Sequence, residues 1–233
     1  MCISLIDCTF LCSLDMVTLE LETDDVSSDI YLSLGLKDLD KGVGVPRVLS
    51  LLSSLLERSV QKNEMLVETE HIEDVVTVFH GLSAPTLSLR KYIDRIFKYS
   101  GCSPSCFVVA HIYVDRLLQN TEIKLTSLNV HRLLITSIML AAKFMDDAFF
   151  NNAYYARVGG VKTCELNRLE MSFLFGIDFR LQVSVDTFHK YCWQLEEEGL
   201  ETLQIERPMQ ACRIKESWSN KDDPSCASTI ARW

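Results

Sequence analysis

The chain has 233 residues, 48% of them hydrophobic, with nine glycines and five prolines. That length allows one large or two small domains with a sizeable core, and so little glycine and proline excludes a chain of short strands and tight turns, a collagen-like repeat or a wholly disordered polymer. The formal charge of −9 divides into −7 over residues 1–44, −3 over 45–88, +4 over 89–195 and −3 over 196–233; the basic middle is too diffuse for a nucleic-acid footprint but suits an acidic protein partner.

Residues 1–44 hold nine acids against two bases and show no sustained period. They read as an acidic, mostly disordered extension. The apolar opening "MCISLIDCTFLCSLDM" lacks a basic n-region and is interrupted by Asp7, so it is a poor signal peptide. In "VPRVLSLLSSLLERSVQKNEML", Val48, Leu51, Leu52, Leu55, Leu56 and Val60 recur at helical spacing, with Pro46 suited to the first turn. A polar connection follows, and "SAPT" at 83–86 breaks the chain.

A first core helix is predicted from Leu87 to Tyr99, buried along Leu89, Tyr92, Ile93, Ile96 and Phe97 and ended by Gly101. The second begins at Ser103-Pro104, with Ser103 as cap, and is apolar on most sides through Leu118. The third, Val130 to Met145 with Asn129 or Ser127 as cap, is apolar nearly all round, which places it at the centre of a bundle. "NNAYYARVGG" predicts a short capped turn or helix ending at Gly159. A fourth helix spans Thr163 to Phe175 with Leu166, Leu169, Phe173 and Leu174 inward. The fifth spans Ser184 to Leu195, with Val185, Phe188, Cys192 and Trp193 as packing residues. After Gly199 the chain turns polar, and residues 201–233 read as a partly disordered tail. The fold class is therefore all-α. No uncharged run of 18 residues occurs, so no membrane span is expected.

Catalytic machinery is hard to find. GxGxxG, GxxxxGK[ST] and HExxH are all missing. No two of His71, His80, His111, His131 and His189 stand at i, i+4, and His111 reads as a core histidine. Asp146 and Asp147 are too few oxygens for a hard cation and read as a cap or solvated pair. The nine cysteines are scattered and contain no C-x-x-C, as expected of reduced thiols in an intracellular protein. The expectation is a non-catalytic protein without cofactor, metal or small-molecule substrate.

Lys143 fits this picture least well. It sits in "LAAKF", inside the most apolar helix. The plain explanation is a snorkelling lysine, stem on apolar neighbours and head in water, and a pair with Asp147 at i+4 is available in the weaker order of charges. Glu170 is a second polar intruder, bordering the apolar face of the fourth helix beside Leu169.

"SPSCFVVAHIYVDRLLQ", "LTSLNVHRLLITSIMLAAKFMDDAFFNNAYYARVGGV" and "ELNRLEMSFLFGIDFRL", in that order, resemble the cyclin box, in the form of the plant P-type (U-type) cyclins related to fungal phosphate-pathway cyclins. The resemblance covers about residues 48–200. It implies a single five-helix cyclin box at 83–200, a flanking helix and linker at 45–82, and helices on both flanks; too few residues follow Leu195 for a second box. It implies a 1:1 partnership with a cyclin-dependent protein kinase, which the chain would bind and activate. By the family's motifs Lys143 and Glu170 face the kinase, beside an apolar groove lined by Leu140, Phe144, Leu174 and Leu181. The role would lie in cell-cycle and cell-division control or in phosphate-linked signalling, in the nucleus and/or cytoplasm, with no direct nucleic-acid or membrane contact. The family's docking patch has the pattern M-R-x-x-L-x-x-W; "LRKYIDRI" keeps Leu89, Arg90 and Ile93 but has Ile96 in place of Trp, so docking of Arg-x-Leu segments is not expected. The alternative is a cyclin-fold adaptor or scaffold in transcription that activates no kinase.

Overall fold

The computed structural model describes residues 25–36, 44–70 and 75–211, with side chains over 28–36, 44–69 and 75–199. Among the described residues there are eight helices and no strand: α1 (Asp25–Leu34), α2 (Arg47–Glu70), α3 (Leu89–Ser100), α4 (Ser105–Asn120), α5 (Val130–Met145), α6 (Asn152–Gly159), α7 (Thr163–Gly176) and α8 (Val185–Ala211). None is long and apolar enough to cross a membrane.

Helix α5 is the hub. Every residue from Leu133 to Ala142 is buried, because the sequence offers no polar face to turn toward water. It packs against α3, α4, α6 and α7. These five helices, α3–α7, form the inner set, and α8 packs instead against α1, α2 and α4. The five-helix core is thus completed by the short α6, a place that the sequence reading gave to residues 184–195. Helix α6 comes close to α5 because its last residue is glycine: a Cβ at Gly159 would stand 2.6 Å from Cγ1 of Ile135. Helix α3 ends as expected, with Gly101 left-handed at φ 64°.

Three local expectations change. Ser103 does not cap α4 with its side chain; its Oγ lies 3.3 Å from the Cys106 sulfur. Asp146, just past α5, ties this turn to α5 instead, its Oδ2 accepting from the Ser103 N–H, two residues before the helix, at 3.0 Å and from the Cys106 thiol at 3.4 Å. A carboxylate is favoured there by the positive end of the helix. Asn129 stands at the N-cap of α5 but turns its amide away, accepting from Thr126 N–H (2.9 Å) and donating to Lys124 O (2.7 Å). On α8, Cys192 and Leu195 are buried whereas Trp193 is half exposed, since Trp193 falls one step off the inward i, i+3 row.

Within the stretch read as an acidic extension, residues 25–34 are helical. Tyr31 and Leu34 of α1 are buried, with Tyr31 edge-on to His189 at 5.0 Å. Arg47 ties the layer together: its Nη1 donates to both Glu196 carboxylate oxygens (2.6 and 2.7 Å) and to Ser33. The rest of the expected extension and the end of the expected tail, residues 1–24, 37–43 and 212–233, lie outside the described residues.

Two histidines are held neutral by burial. The imidazole of His111 is pushed below its ordinary pKa by desolvation, against a smaller pull from Asp115; its Nδ1 meets no hydrogen-bond partner among the described residues. Burial also lowers His131, against the hydrogen bond to Leu87 O. A folded-state pKa below the unfolded value of about 6.5 means that protonation favours unfolding. This contribution is full above about pH 6.5 and is lost as pH falls through the lowered folded values, at up to about 1.4 kcal/mol per pH unit for each group. Thermal unfolding at pH 7.5 and 5.0 should show a drop in Tm that is smaller by a few degrees in His111→Leu than in the unsubstituted chain.

Candidate functional site: a charged and aromatic face on α5 to α7

Lys143 leaves α5 one residue after its buried run ends, in the last turn, where the helix carbonyls favour a cation. It does not pair with Asp147. Its Nζ donates to Oε1 of Glu170 at 2.7 Å, with the two side chains 19% and 11% exposed. The snorkelling reading is thereby replaced by a specific ion pair between helices 27 residues apart.

A third residue completes the arrangement. Asn152, the first residue of α6, accepts from Lys143 Nζ and donates through Nδ2 to Glu170 Oε2 (2.6 Å) and Asn167 Oδ1 (2.8 Å). Asn151 holds this helix start in place, its side chain accepting from the Tyr154 N–H at 3.0 Å. The amide of Asn152 therefore uses both donors, and each Glu170 oxygen has one partner among the described residues. Lys143 spends two of its three N–H donors among the described residues, which leaves one for a visitor. The carboxylate keeps free lone-pair directions as well. Such a network is rigid before anything binds, since moving one member strands the others.

The apolar residues expected around the pair are placed unequally. Leu140 and Leu174 are buried, Leu181 is half-buried and Phe144 is 40% exposed. The two buried leucines support the face from below and present almost no surface. Exposed apolar surface on these elements comes from Phe144 at the end of α5 and, at and just past the end of α7, from two residues that the sequence reading missed, Phe175 (65% exposed) and Phe179 (53%), whose rings meet edge to face at 5.2 Å; Met145, Phe149, Phe150 and Met171 are exposed as well. Their signal was available: Phe175 falls off the inward row of α7, and an aromatic residue off the buried row must face out. Asn152 was missed too, because an asparagine at a helix start reads as a cap, and Asn167 because a polar residue in the first turns of a helix reads as solvated.

The turn after α7 is unusual. Asp178 and Phe179 both have positive φ, 52° and 56°. For a bulky residue such as phenylalanine that conformation is rare, and it costs on the order of 1–3 kcal/mol. Helix α4 holds the turn in this shape: the Tyr113 hydroxyl donates to Leu181 O and Arg116 Nη1 to Arg180 O, both at 2.6 Å. The outcome is a large ring held out to solvent on a braced turn.

No cluster of three or more His, Cys, Asp or Glu able to hold a metal occurs among the described residues. What the face offers is a donor, an acceptor and aromatic surface, which is the equipment of a protein interface.

Comparison with known proteins gives a consistent picture. A family model described as Cyclin matches residues 46–181. Cyclin-P3-1 of Oryza sativa subsp. japonica is 51% identical over 228 residues, covering 94% of this chain and 95% of that protein. Cyclin-U3-1 of Arabidopsis thaliana is 55% identical over 214 residues, 89% of this chain and 96% of its own length. Cyclin-U4-1 of Arabidopsis thaliana is 49% identical over 162 residues, 69% of this chain and 80% of its own length.

Proposed function

This chain belongs to the cyclin family, and we propose that it binds a cyclin-dependent protein kinase as a 1:1 heterodimer and holds that kinase in its active shape. A cyclin-like regulatory role follows from the family itself. The observation that carries the finer reading is the meeting of Lys143 and Glu170 at 2.7 Å, with a donor to spare and aromatic surface on the neighbouring helix ends. The chain supplies no group to the chemistry.

Phosphoryl transfer by a protein kinase requires a lysine–glutamate ion pair inside the kinase, and the glutamate sits on a mobile regulatory helix. A rigid platform that binds that helix only in its inward position shifts the population toward the active state. Lys143 and Glu170 suit this task because they offer a donor and an acceptor to the backbone at the end of such a helix, while Phe144, Phe175 and Phe179 offer apolar area. An intracellular site of action and a role in division or phosphate-linked signalling go with the reading.

The test is direct. The purified chain is mixed with isolated cyclin-dependent kinases and phosphorylation of a generic substrate is followed. An active state populated at about 0.1–10% leaves room for a gain of about 10- to 1,000-fold. No gain with any kinase of the set would favour the adaptor or scaffold role.

A further inference from the structure

Away from Lys143, helices α3 and α6 enclose a second feature: an open cleft of about 430 Å³ lined by Arg95, Tyr99, Tyr154, Arg157 and Val158. It is basic, on a chain of net charge −9. Helix α3 carries Arg90, Lys91, Arg95 and Lys98, and its single acid, Asp94, is taken by Arg90 at 3.0 Å. Residues 148–164 add Arg157 and Lys162 and contain no acid.

Neither Arg95 nor Arg157 pairs with a carboxylate among the described residues, yet both are held in place. Arg95 spends one N–H on the carbonyl of Arg157, at 3.2 Å. Arg157 lies over the Tyr154 ring at 5.6 Å. That ring is itself fixed, stacked on Phe150 at 4.0 Å with its hydroxyl donating to Tyr99 O at 2.7 Å. Two guanidinium groups are thus ordered in advance, with most of their N–H edges unused. A planar fork of donors matches a carboxylate in a two-point contact.

The shape and the field narrow the occupant. The rim is exposed at Arg95, Tyr99 and Arg157, so the cleft suits an extended chain lying across it better than an enclosed small molecule. A long polyanion would also meet the acidic remainder of the protein and be repelled, whereas a short acidic stretch needs only the cleft. The neighbouring apolar row of α3 cannot compete: Leu89, Tyr92, Ile93 and Ile96 are buried, and the Tyr92 hydroxyl donates to Gly159 O at 3.1 Å. A basic segment would face two arginines.

We infer that this cleft docks an acidic linear segment of a partner protein, with a carboxylate on each of Arg95 and Arg157. The inference goes beyond the kinase-binding reading, and its test needs no kinase, so either can fail alone.

The probe is a fluorescein-labelled decapeptide of alternating Glu and Asp, titrated with the full chain and followed by anisotropy. The control is the same peptide in Gln and Asn. The acidic peptide should bind at least tenfold more tightly than the control and weaken as salt is raised. R95E/R157E should reduce its affinity more than tenfold, with the helical circular dichroism retained; the milder R95Q/R157Q serves should the reversed variant fail to fold. Lys190→Glu, on α8 and equal in charge change to R95Q/R157Q, should leave it unaltered. Equal binding of the two peptides, or full binding by both arginine variants, overturns the inference. So does tighter binding of a ten-nucleotide oligo-dT with the same dependence on the arginines. A tenfold gain in peptide affinity on neutralising Asp7, Asp15, Glu20, Glu22 and Asp24 would assign the cleft to the chain's own N-terminal segment and overturn the partner assignment.

Discussion

On the kinase-binding reading proposed above, Lys143→Glu is expected to abolish binding to a cyclin-dependent kinase. A charge pair at an interface, once one partner is removed, loses about 2–5 kcal/mol of binding, which is about 30-fold to several thousand-fold in affinity. Here the substitution also sets a second carboxylate against Glu170 and takes the donor from Asn152 Oδ1. Some loss of Tm is therefore expected in the isolated chain, and this by itself would confuse the result. The reversed pair K143E/E170K separates the two effects. It restores attraction between α5 and α7, so Tm should return toward that of the unsubstituted chain. It also exchanges donor and acceptor on the face, so kinase affinity should stay lost. Thermal unfolding and equilibrium binding to a cyclin-dependent kinase, measured on the unsubstituted chain and both variants, decide the matter. Recovery of both properties in the reversed pair would make the ion pair a structural strut and nothing more.

The second large effect contrasts two phenylalanines on one helix. Phe173 is fully buried, edge-on to Phe79 at 6.0 Å. Phe173→Ala should lose about 3–5 kcal/mol of stability through lost transfer energy and the cavity left behind. For a chain of this size that is a fall in Tm of about 6–20 °C. Phe175, two residues on, is 65% exposed. Phe175→Ala should change stability by less than about 1 kcal/mol, yet weaken kinase binding by about 1–3 kcal/mol if its ring is an anchor of the interface. A melting curve and a binding isotherm for each variant give four numbers. A stable, fully binding Phe175→Ala would remove that ring from the interface and leave Phe144 and Phe179 to carry the apolar contact.

These two residues also mark how far sequence reading reaches. The row Leu166, Leu169, Phe173 and Leu174 was legible from period alone, and all four are buried. The bounds of α5, Val130–Met145, were read as they stand, because a helix apolar on every side admits few other placements. Lys143 and Glu170 were conspicuous for the same reason: charge in an apolar context is a local property of the string. Helix α1 was not legible. Ten residues make a marginal helix in isolation, and the burial of Tyr31 and Leu34 is supplied largely by α8, about 150 residues later.

By its own pattern of apolar and polar residues, then, the chain determined an all-helical fold, the central helix and the two charges that did not belong. Tertiary structure alone decided that Lys143 meets Glu170 directly with Asn152 bonded to both, that Asp146 ties the start of α4 to α5, that Leu140 and Leu174 are buried while Phe175 and Phe179 are exposed, and that two arginines flank a cleft. The reason is geometric. Periodicity reports which side of a helix faces inward. Which atoms come within hydrogen-bond reach depends on where helices cross, and the crossings are set by close approaches such as Gly159 against Ile135 and by braced turns such as 177–181, distant in sequence from the residues they position.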